Sequence, residues 1–347
     1  MTKFSKSEMF KVLVNSEYEI LFNQLKAKAP DSFELTLVDF SAPDEKLNSM
    51  LCTTDAIIGQ VNLSDAQYES AKRLKIIQTL SAGFDRIELA KAMRYKVTIA
   101  TNNGANAISV AEHVLMLIFA LYRQLLFHHH SVTNGPWKNL KHTNRELSGK
   151  TLGIYGLGRI GKELAKRASA LGVKVQYFDI LRQFETEKEL GLKYVFPEEL
   201  LKSSDIISYH VPKTTFTRHI INQNSLKMMR PDALLINASR GDVQDESALY
   251  EALSCGEISA AGLDVFEVEP LPENSPLRKL NNVVLTPHSA PDSECYVRSV
   301  RNALENLLKV SKGEAPQSIA VDHEKETRKF LQRFPDVEFS PDRKSVV

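Results

Sequence analysis

The chain has 347 residues, of which 43% are hydrophobic and 25% charged, with a formal net charge of +1. These are the proportions of a globular protein long enough for two domains of ordinary size. With no basic excess to neutralise phosphates, they argue against a general role on nucleic acid or at a membrane surface. The three cysteines, Cys52, Cys255 and Cys295, are widely spaced. They form neither a disulfide framework nor a CxxC metal pattern, which fits a reducing compartment. The opening residues, MTKFSKSEMFKVLVN, lack the apolar core of a signal peptide. The most apolar run, residues 114–126, is interrupted by Tyr122, Arg123 and Gln124, and it is shorter than the roughly 20 residues a membrane span needs. A cytoplasmic location, with no nucleic-acid and no membrane partner, is expected.

From the N-terminus, strand-like and helix-like patterns alternate. Strands are predicted over residues 10–14, 33–38, 56–58, 76–80 and 97–100, with helices around 18–25, 47–51, 65–74 and 87–93. Such alternation implies a parallel sheet with helices on both faces. This half carries no glycine fingerprint and so no nucleotide site of its own. A helix is then predicted over 108–127, in which Val110, Ala111, Val114, Leu115, Leu117, Ile118 and Leu121 are apolar. So broad an apolar surface predicts burial nearly all round, between domains or at a subunit contact. His128, His129 and His130 follow in a row. Consecutive helical positions do not share a face, so the three cannot chelate one ion, and they read as a polar helix end.

The second half is organised by residues 151–179, TLGIYGLGRIGKELAKRASALGVKVQYFD. A strand run with Leu152, Ile154 and Tyr155 ends in Gly156-Leu157-Gly158-Arg159-Ile160-Gly161, and a helical pattern of Leu164, Ala165, Ala168 and Leu171 follows at once. Gly156 permits a tight turn, Gly158 lets the backbone approach a pyrophosphate at the helix N-terminus, and Gly161 lets helix and strand pack closely. A second strand run, 173–178, ends in Asp179, about 20 residues past the glycines, where a carboxylate can accept hydrogen bonds from an adenosine ribose. This constellation predicts a dinucleotide site that prefers NAD(H) over NADP(H), because the Asp179 carboxylate would repel a 2′-phosphate.

Further strands are predicted at 205–211, 233–237, 259–265 and 282–285, separated by helices at 197–201, 225–229 and 246–253. With the two fingerprint strands these make six, the number in a doubly wound dinucleotide fold. Residues 298–309 read as a return helix, and residues 323–347 as a charged peripheral arm in which Phe330, Leu331 and Phe334 dock one helical turn or two, with closure over the active site as the alternative. The fold class expected is α/β, with two doubly wound parallel-sheet domains. A Rossmann dinucleotide-binding domain (106–297) would be inserted in a flavodoxin-like substrate domain built from residues 1–105 and 298–347.

Ligands of open α/β sheets sit outside the carboxyl ends of the strands. Three such ends carry ionisable groups: Ala238-Ser239-Arg240-Gly241, Glu267-Val268-Glu269-Pro270 and Thr286-Pro287-His288-Ser289. An arginine, a carboxylate and a histidine suit the reduction of a 2-oxo acid. Guanidinium binds a carboxylate or carbonyl oxygen in fixed geometry. Imidazolium donates a proton to the oxygen that becomes hydroxyl, and a neighbouring carboxylate holds the ring. Singly, His288 could be a surface histidine, Glu269 a solvated loop acid and Arg240 a strand cap. Beside a dinucleotide site, the three together point to chemistry.

At these residues the chain resembles the D-isomer-specific 2-hydroxyacid dehydrogenases. The resemblance runs through LSAGFDRIEL (80–89), NAISVAEHVLMLIFAL (106–121), ELSGKTLGIYGLGRIGKELA (146–165), HVPKTTFTRHIIN (210–222), INASRGDVQDESAL (236–249), AGLDVFEVEPLPENSPL (261–277) and NVVLTPHSA (282–290). It implies a hydride passing between nicotinamide C4 and the substrate's C2, with His288 as acid/base, Glu269 as its partner and Arg240 on the substrate's carboxylate and carbonyl. It further implies that the backbone amides of Ser81, Ala82 and Gly83 hold the substrate carboxylate in a cleft between domains. Cofactor contacts are implied for Arg159, Ile160, Asp179, Pro212, Thr217, Ala238 and Asp264. A homodimer formed through about residues 107–147 is also implied, with Trp137 either packed or reaching the partner's pocket.

Pro291 stands where many relatives carry a small flexible residue, and it stiffens the loop bearing the nicotinamide contact. The glutamate of the acid/base pair is intact, which disfavours the formate dehydrogenase branch, where glutamine replaces it. The function expected is an NAD-dependent reductase of a small 2-oxo acid to its D-2-hydroxy acid. Phosphite oxidation and an NADH-sensing, corepressor-like binding role on the same fold are the alternatives.

Overall fold

The computed structural model of the chain describes residues 9–41, 44–102, 104–135, 137 and 144–339. In chain order its elements are β1 (Phe10–Asn15), α1 (Glu19–Lys28), β2 (Phe33–Val38), α2 (Asp44–Leu51), β3 (Ala56–Ile58), α3 (Asp65–Ser70), β4 (Ile76–Gln78), α4 (Leu89–Arg94) and β5 (Thr98–Ala100). There follow α5 (Ala107–Tyr122), α6 (Leu125–Asn134), β6 (Thr151–Tyr155), α7 (Arg159–Ala170), β7 (Lys174–Phe178), α8 (Phe184–Leu190), β8 (Lys193–Tyr194), α9 (Pro197–Ser203) and β9 (Ile206–Tyr209). The last are α10 (Gln223–Met228), β10 (Leu234–Asn237), α11 (Glu246–Cys255), β11 (Ala260–Leu263), β12 (Val283–Leu285), α12 (Ser293–Ser311) and α13 (His323–Arg333). They form two compact units, one of Met1–Asn106 with Asp292–Asp322, the other of Ala107–Pro291 with His323–Val347.

In the first unit five parallel strands lie in the order β2-β1-β3-β4-β5, the flavodoxin-like arrangement. Alternation along β1 sends Val12 and Val14 to one face and Leu13 to the other. Both faces are covered, so the strands read as continuous apolar runs. Leu21, Leu25, Val300, Leu304 and Leu307 from α1 and α12 cover the first face. Leu47 and Leu51 of α2, with Leu63 and Leu74, cover the second. The Asp292 carboxylate caps α12 by accepting the Cys295 N–H at 2.6 Å, and Asn306 Nδ2 of α12 donates to Gln78 Oε1 at 2.8 Å.

The second unit holds a seven-stranded parallel sheet in the order β12-β11-β10-β9-β6-β7-β8. Six strands were expected; the seventh, β8, is two residues long at the sheet edge, too short to carry a periodicity of its own. β6 pairs with β7 on one side and β9 on the other, so the winding reverses between β6 and β9. α5 and α7 cover one face of the sheet, through Val114, Leu117, Ile118, Leu164 and Ala165. Leu200, Leu226, Leu249 and Leu253 of α9, α10 and α11 cover the other.

Two expectations are corrected. The helix predicted over 108–127 ends at Tyr122, Gln124 is left-handed at φ 48°, and α6 leaves at 58° to α5. The physical reason lies at the Tyr122 carbonyl, which accepts the Arg145 N–H at 2.9 Å and so is taken where a helical ladder would continue. In the single chain Ile108, Met116 and Phe119 of α5 are exposed, so burial nearly all round would require the subunit contact. The second correction concerns the C-terminal arm, which neither completes the first unit nor lies at the periphery. Phe330 is buried within the second unit's core, with Leu331, Val337 and Phe339 packed against it. Part of the arm's predicted span, residues 340–347, lies outside the described residues. Among the described residues no single helix is long and apolar enough to cross a membrane.

Candidate active site

The glycine turn follows β6. Gly156 has φ +100°, and a Cβ there would stand 2.7 Å from the His210 carbonyl oxygen, so the turn and the end of β9 are in backbone contact. Gly158 precedes the first turn of α7 with open space where a Cβ would be and no side chain capping the helix. Arg159 and Ile160 open that helix, and Gly161 packs on the Gly156 carbonyl. Asp179 ends β7. Its Oδ2 accepts the Leu157 N–H at 2.7 Å and its Oδ1 the Leu181 N–H at 2.9 Å. Burial raises this carboxyl above its ordinary range, with the two amides and Lys162 pulling it back only in part.

Beyond β9 the loop carrying Pro212 and Thr217 is knotted on itself. The Thr217 hydroxyl donates to the Pro212 carbonyl at 2.6 Å and accepts the Thr214 N–H at 2.8 Å. His210, at the end of the same strand, bonds Ser208 Oγ through Nε2 at 2.9 Å, while its buried Nδ1 has no partner. Burial pushes this imidazole down to about 4, so it is neutral at physiological pH.

Arg240, Glu269 and His288 follow the ends of β10, β11 and β12, three adjacent strands spaced about 5 Å apart. His288 Nδ1 and Glu269 Oε2 are 2.8 Å apart, both side chains being partly open to solvent, and Glu269 Oε1 accepts the Phe266 N–H at 3.0 Å. His288 has φ +52°. The turn that carries it is built on Asp264, 1% exposed, which accepts the Thr286 hydroxyl at 2.6 Å and the Ser289 and Ala290 N–H groups at 2.9 and 3.1 Å. His113 Nε2 of α5 lies 3.3 Å from the same carboxylate. Burial pushes the Asp264 carboxyl up, but the bonds from His113, Thr286 and the Ser289 amide outweigh it and hold the group below the usual carboxylate range.

Arg240 stands between two fixed points. Its Nη1 donates to the Ser239 carbonyl at 2.8 Å, and its own carbonyl accepts Asn237 Nδ2 at 3.1 Å. At Gly241 any Cβ would overlap the Phe266 carbonyl, so the loop after β10 rests directly on the loop after β11. Ala238 leads into the same turn.

In the first unit, Ser81, Ala82 and Gly83 follow β4. The Ser81 hydroxyl donates to the Gly83 carbonyl at 3.0 Å, and the Ser81 carbonyl accepts the Thr79 hydroxyl at 2.6 Å and the Asn102 N–H at 2.9 Å. Gln60 Nε2, after β3, donates to Ser81 Oγ at 3.1 Å.

Sequence reasoning overlooked the buried polar groups behind these turns. Asn237 and Gln244 are bonded to each other at 3.0 Å, and Gln244 Nε2 also donates to the Val265 carbonyl at 3.3 Å. An asparagine closing the apolar run LLIN, and a histidine among the apolar residues of α5, were the available signals. Neither carries chemistry by itself, so neither stood out. Among the described residues no group of three histidine, cysteine or acidic side chains is placed to hold a metal ion.

The family model described as D-isomer specific 2-hydroxyacid dehydrogenase, NAD binding domain, matches residues 115–290, which include the glycine turn, Asp179, Arg240, Glu269 and His288. The chain belongs to this family. Over 302 residues this dehydrogenase is 38% identical to a glyoxylate reductase of Korarchaeum cryptofilum, an alignment that covers 84% of this chain and 91% of the relative. It is 42% identical over 245 residues to a hydroxypyruvate reductase of Thermotoga maritima, covering 70% of this chain and 79% of the relative. It also superposes on the D-lactate dehydrogenase of Lactobacillus jensenii, solved with NAD+, with a TM-score of 0.76 at 28% identity, over 90% of this chain and 100% of that one. As a member of the family the dehydrogenase is an oxidoreductase acting on CH–OH donors.

Its second unit fits NAD. The open space at Gly158 and the uncapped start of α7 suit a pyrophosphate. Asp179 uses one lone pair on each oxygen for a backbone amide, which leaves each oxygen able to accept a further donor.

The neutral His210 carries a stability consequence. The unfolded imidazole takes a proton near pH 6.5 and the folded one only near pH 4. Its contribution is therefore complete above pH 6.5 and is lost as the pH falls through that window. A His210→Gln variant should show a flatter fall of Tm between pH 7 and pH 4 than the wild type, and parallel curves would contradict a buried neutral imidazole.

Proposed function

We propose that this dehydrogenase uses NADH to reduce a small 2-oxo acid, glyoxylate or hydroxypyruvate first, to the D-2-hydroxy acid. The observation that carries the reading is the His288–Glu269 pair at 2.8 Å, next to Arg240 on the neighbouring strand ends. Nδ1 is committed to the carboxylate, which leaves Nε2 as the nitrogen that meets substrate. The Arg240 guanidinium orients the substrate through its carboxylate and carbonyl oxygen. The amides of Ser81, Ala82 and Gly83 bind the carboxylate as well. When bound, the nicotinamide supplies the hydride to C2. His288 delivers a proton to the carbonyl oxygen as it becomes hydroxyl, and Glu269 keeps the ring in place and balances its charge. Arg159 and Ile160 face the pyrophosphate, Pro212 and Thr217 the adenosine half, and Ala238 and Asp264 the nicotinamide half.

The test is a steady-state panel of glyoxylate, hydroxypyruvate, pyruvate, phenylpyruvate and 2-oxoglutarate with NADH, alongside phosphite with NAD+. His288→Ala should lower kcat by about 10²- to 10⁴-fold and leave NADH binding intact. Arg240→Ala should raise the KM of the 2-oxo acid by about ten- to a hundredfold. A His288→Ala enzyme with near-normal kcat would remove the acid/base assignment, and silence on every acid would remove the reductase reading.

NAD(H) is proposed over NADP(H). The Asp179 carboxylate would meet the ribose hydroxyls and repel a 2′-phosphate, and Arg182, three residues on, is committed elsewhere. Its guanidinium pairs in a fork with Glu187, at 2.8 and 3.0 Å, and lies over the Phe184 and Tyr194 rings. Asp179→Ala should raise the KM for NADH by about tenfold or more and lower that for NADPH. Unchanged coenzyme ratios would sink the proposal.

We also propose a homodimer through about residues 107–147. Met116 and Phe119 of α5, Leu125, Leu126 and Val132 of α6, and Trp137 at 78% exposure supply the apolar surface; residues 136 and 138–143 of this range lie outside the described residues. Light scattering should give twice the mass of one chain for the wild type and a shift towards one chain for Met116→Glu/Phe119→Glu. A monomeric wild type would refute it.

A further inference from the structure

The C-terminal arm reaches the three segments that form the coenzyme edge of the second unit, each from one or a few residues away. Glu324 Oε1, in the first turn of α13, accepts the Thr215 N–H at 3.0 Å, and the Arg328 guanidinium lies 5.8 Å from the centre of the Phe216 ring. Both partners belong to the loop between Pro212 and Thr217. Phe330 meets Phe178 edge to face at 5.8 Å, and Phe339 meets it at 5.7 Å. Phe178 is the residue before Asp179. The Tyr155 hydroxyl, on the residue before Gly156, donates to the Phe339 carbonyl at 3.4 Å. The arm therefore touches the ends of β6 and β7 and the loop that follows β9, where the winding of the sheet reverses.

We propose that the arm positions the adenosine half of the coenzyme site, and that Glu324 is a positioning residue acting through Thr215. The inference rests on the dinucleotide reading of that edge. The loop between Pro212 and Thr217 has no sheet or helix ladder to hold it. Its inner knot, centred on Thr217, fixes its shape, whereas fixing its place against the sheet needs anchors outside it. Lys213, paired with Asp242 at 2.7 Å, is one such anchor. Glu324 and Arg328 supply another from the opposite end of the chain. An anchored loop has already lost the freedom that it would otherwise lose on binding, so affinity for the adenosine half rises without any new contact to ligand. Phe330 and Phe339 act likewise on Phe178 and thus on the backbone that presents Asp179.

The experiment is calorimetric titration of the full chain with ADP-ribose, which carries the adenosine half alone, and with NADH, beside steady-state kinetics and Tm. Glu324→Ala should weaken ADP-ribose and NADH by about three- to tenfold, with kcat at saturating NADH and the KM of the 2-oxo acid unchanged and Tm within about 2 °C. Glu324→Gln keeps an acceptor oxygen and should recover most of the affinity. Arg328→Ala, a surface change, should weaken ADP-ribose in the same sense and keeps the test open if a Glu324 variant folds poorly. Wild-type affinity for ADP-ribose in both the Glu324→Ala and Arg328→Ala chains overturns the proposal, as does a fall in Tm with no change in affinity of the folded protein. A wild type that binds NADH but not ADP-ribose overturns the arm's role alone, whereas one that binds neither removes the dinucleotide reading as well.

Discussion

A carboxylate taken out of water must be surrounded by donors, and at Asp264 those donors build the turn that presents His288. The Thr286 hydroxyl and the Ser289 and Ala290 amides converge on its two oxygens, with His113 of α5 behind them. The amide of the buried Ala290 would be left unsatisfied without this acceptor, so the turn has little choice of path. The same satisfaction holds His288 in a left-handed conformation that a non-glycine residue adopts only when its surroundings determine it. The placement of the imidazole is thus a consequence of the buried Asp264 charge, not of the imidazole's own contacts alone.

A parallel sheet then does the rest of the positioning. All strands run the same way, so every strand end of interest falls on one edge. The residues that follow β10, β11 and β12 are brought side by side although they are separated by dozens of residues in the chain. Close backbone contact tightens this further: with no Cβ at Gly241, the Arg240 turn can lie on the Phe266 carbonyl, and Phe266 in turn gives its amide to Glu269. Arginine, carboxylate and histidine are linked through main chain as well as through the sheet.

Around Asp179, in the NAD-binding unit, the charged groups are held by their neighbours. Asp179 is half-buried and held by two amides, and the one arginine near it in sequence is locked in a fork with Glu187 between aromatic rings. The aromatic face beneath this edge, Tyr155 stacked on Tyr209 and edge-on to Phe178, would be open to water without Phe330 and Phe339. The arm closes a core as well as approaching a site, and the two roles share the same side chains.

Much of this was legible in the amino-acid order because its causes are local. Glycines at fixed spacing, a strand run before them, a helical pattern after them and an acid at the end of the next strand are short-range features, and each follows from backbone sterics or hydrophobic period. The alternation that predicts two parallel sheets is local in the same sense. Strand order, the two-residue β8, the break after Tyr122 and the partners of Asp264 are not, since each depends on a group far away in the chain: Arg145 for the helix break, His113 and Ser289 for the carboxylate. The C-terminal arm shows the division most plainly. Its sequence is charged and gives only Phe330, Leu331 and Phe334 as a hint of docking, so it read as peripheral. Only the folded sheet decides where those rings go, because the apolar surface that they cover does not exist until β6, β7 and β9 lie side by side.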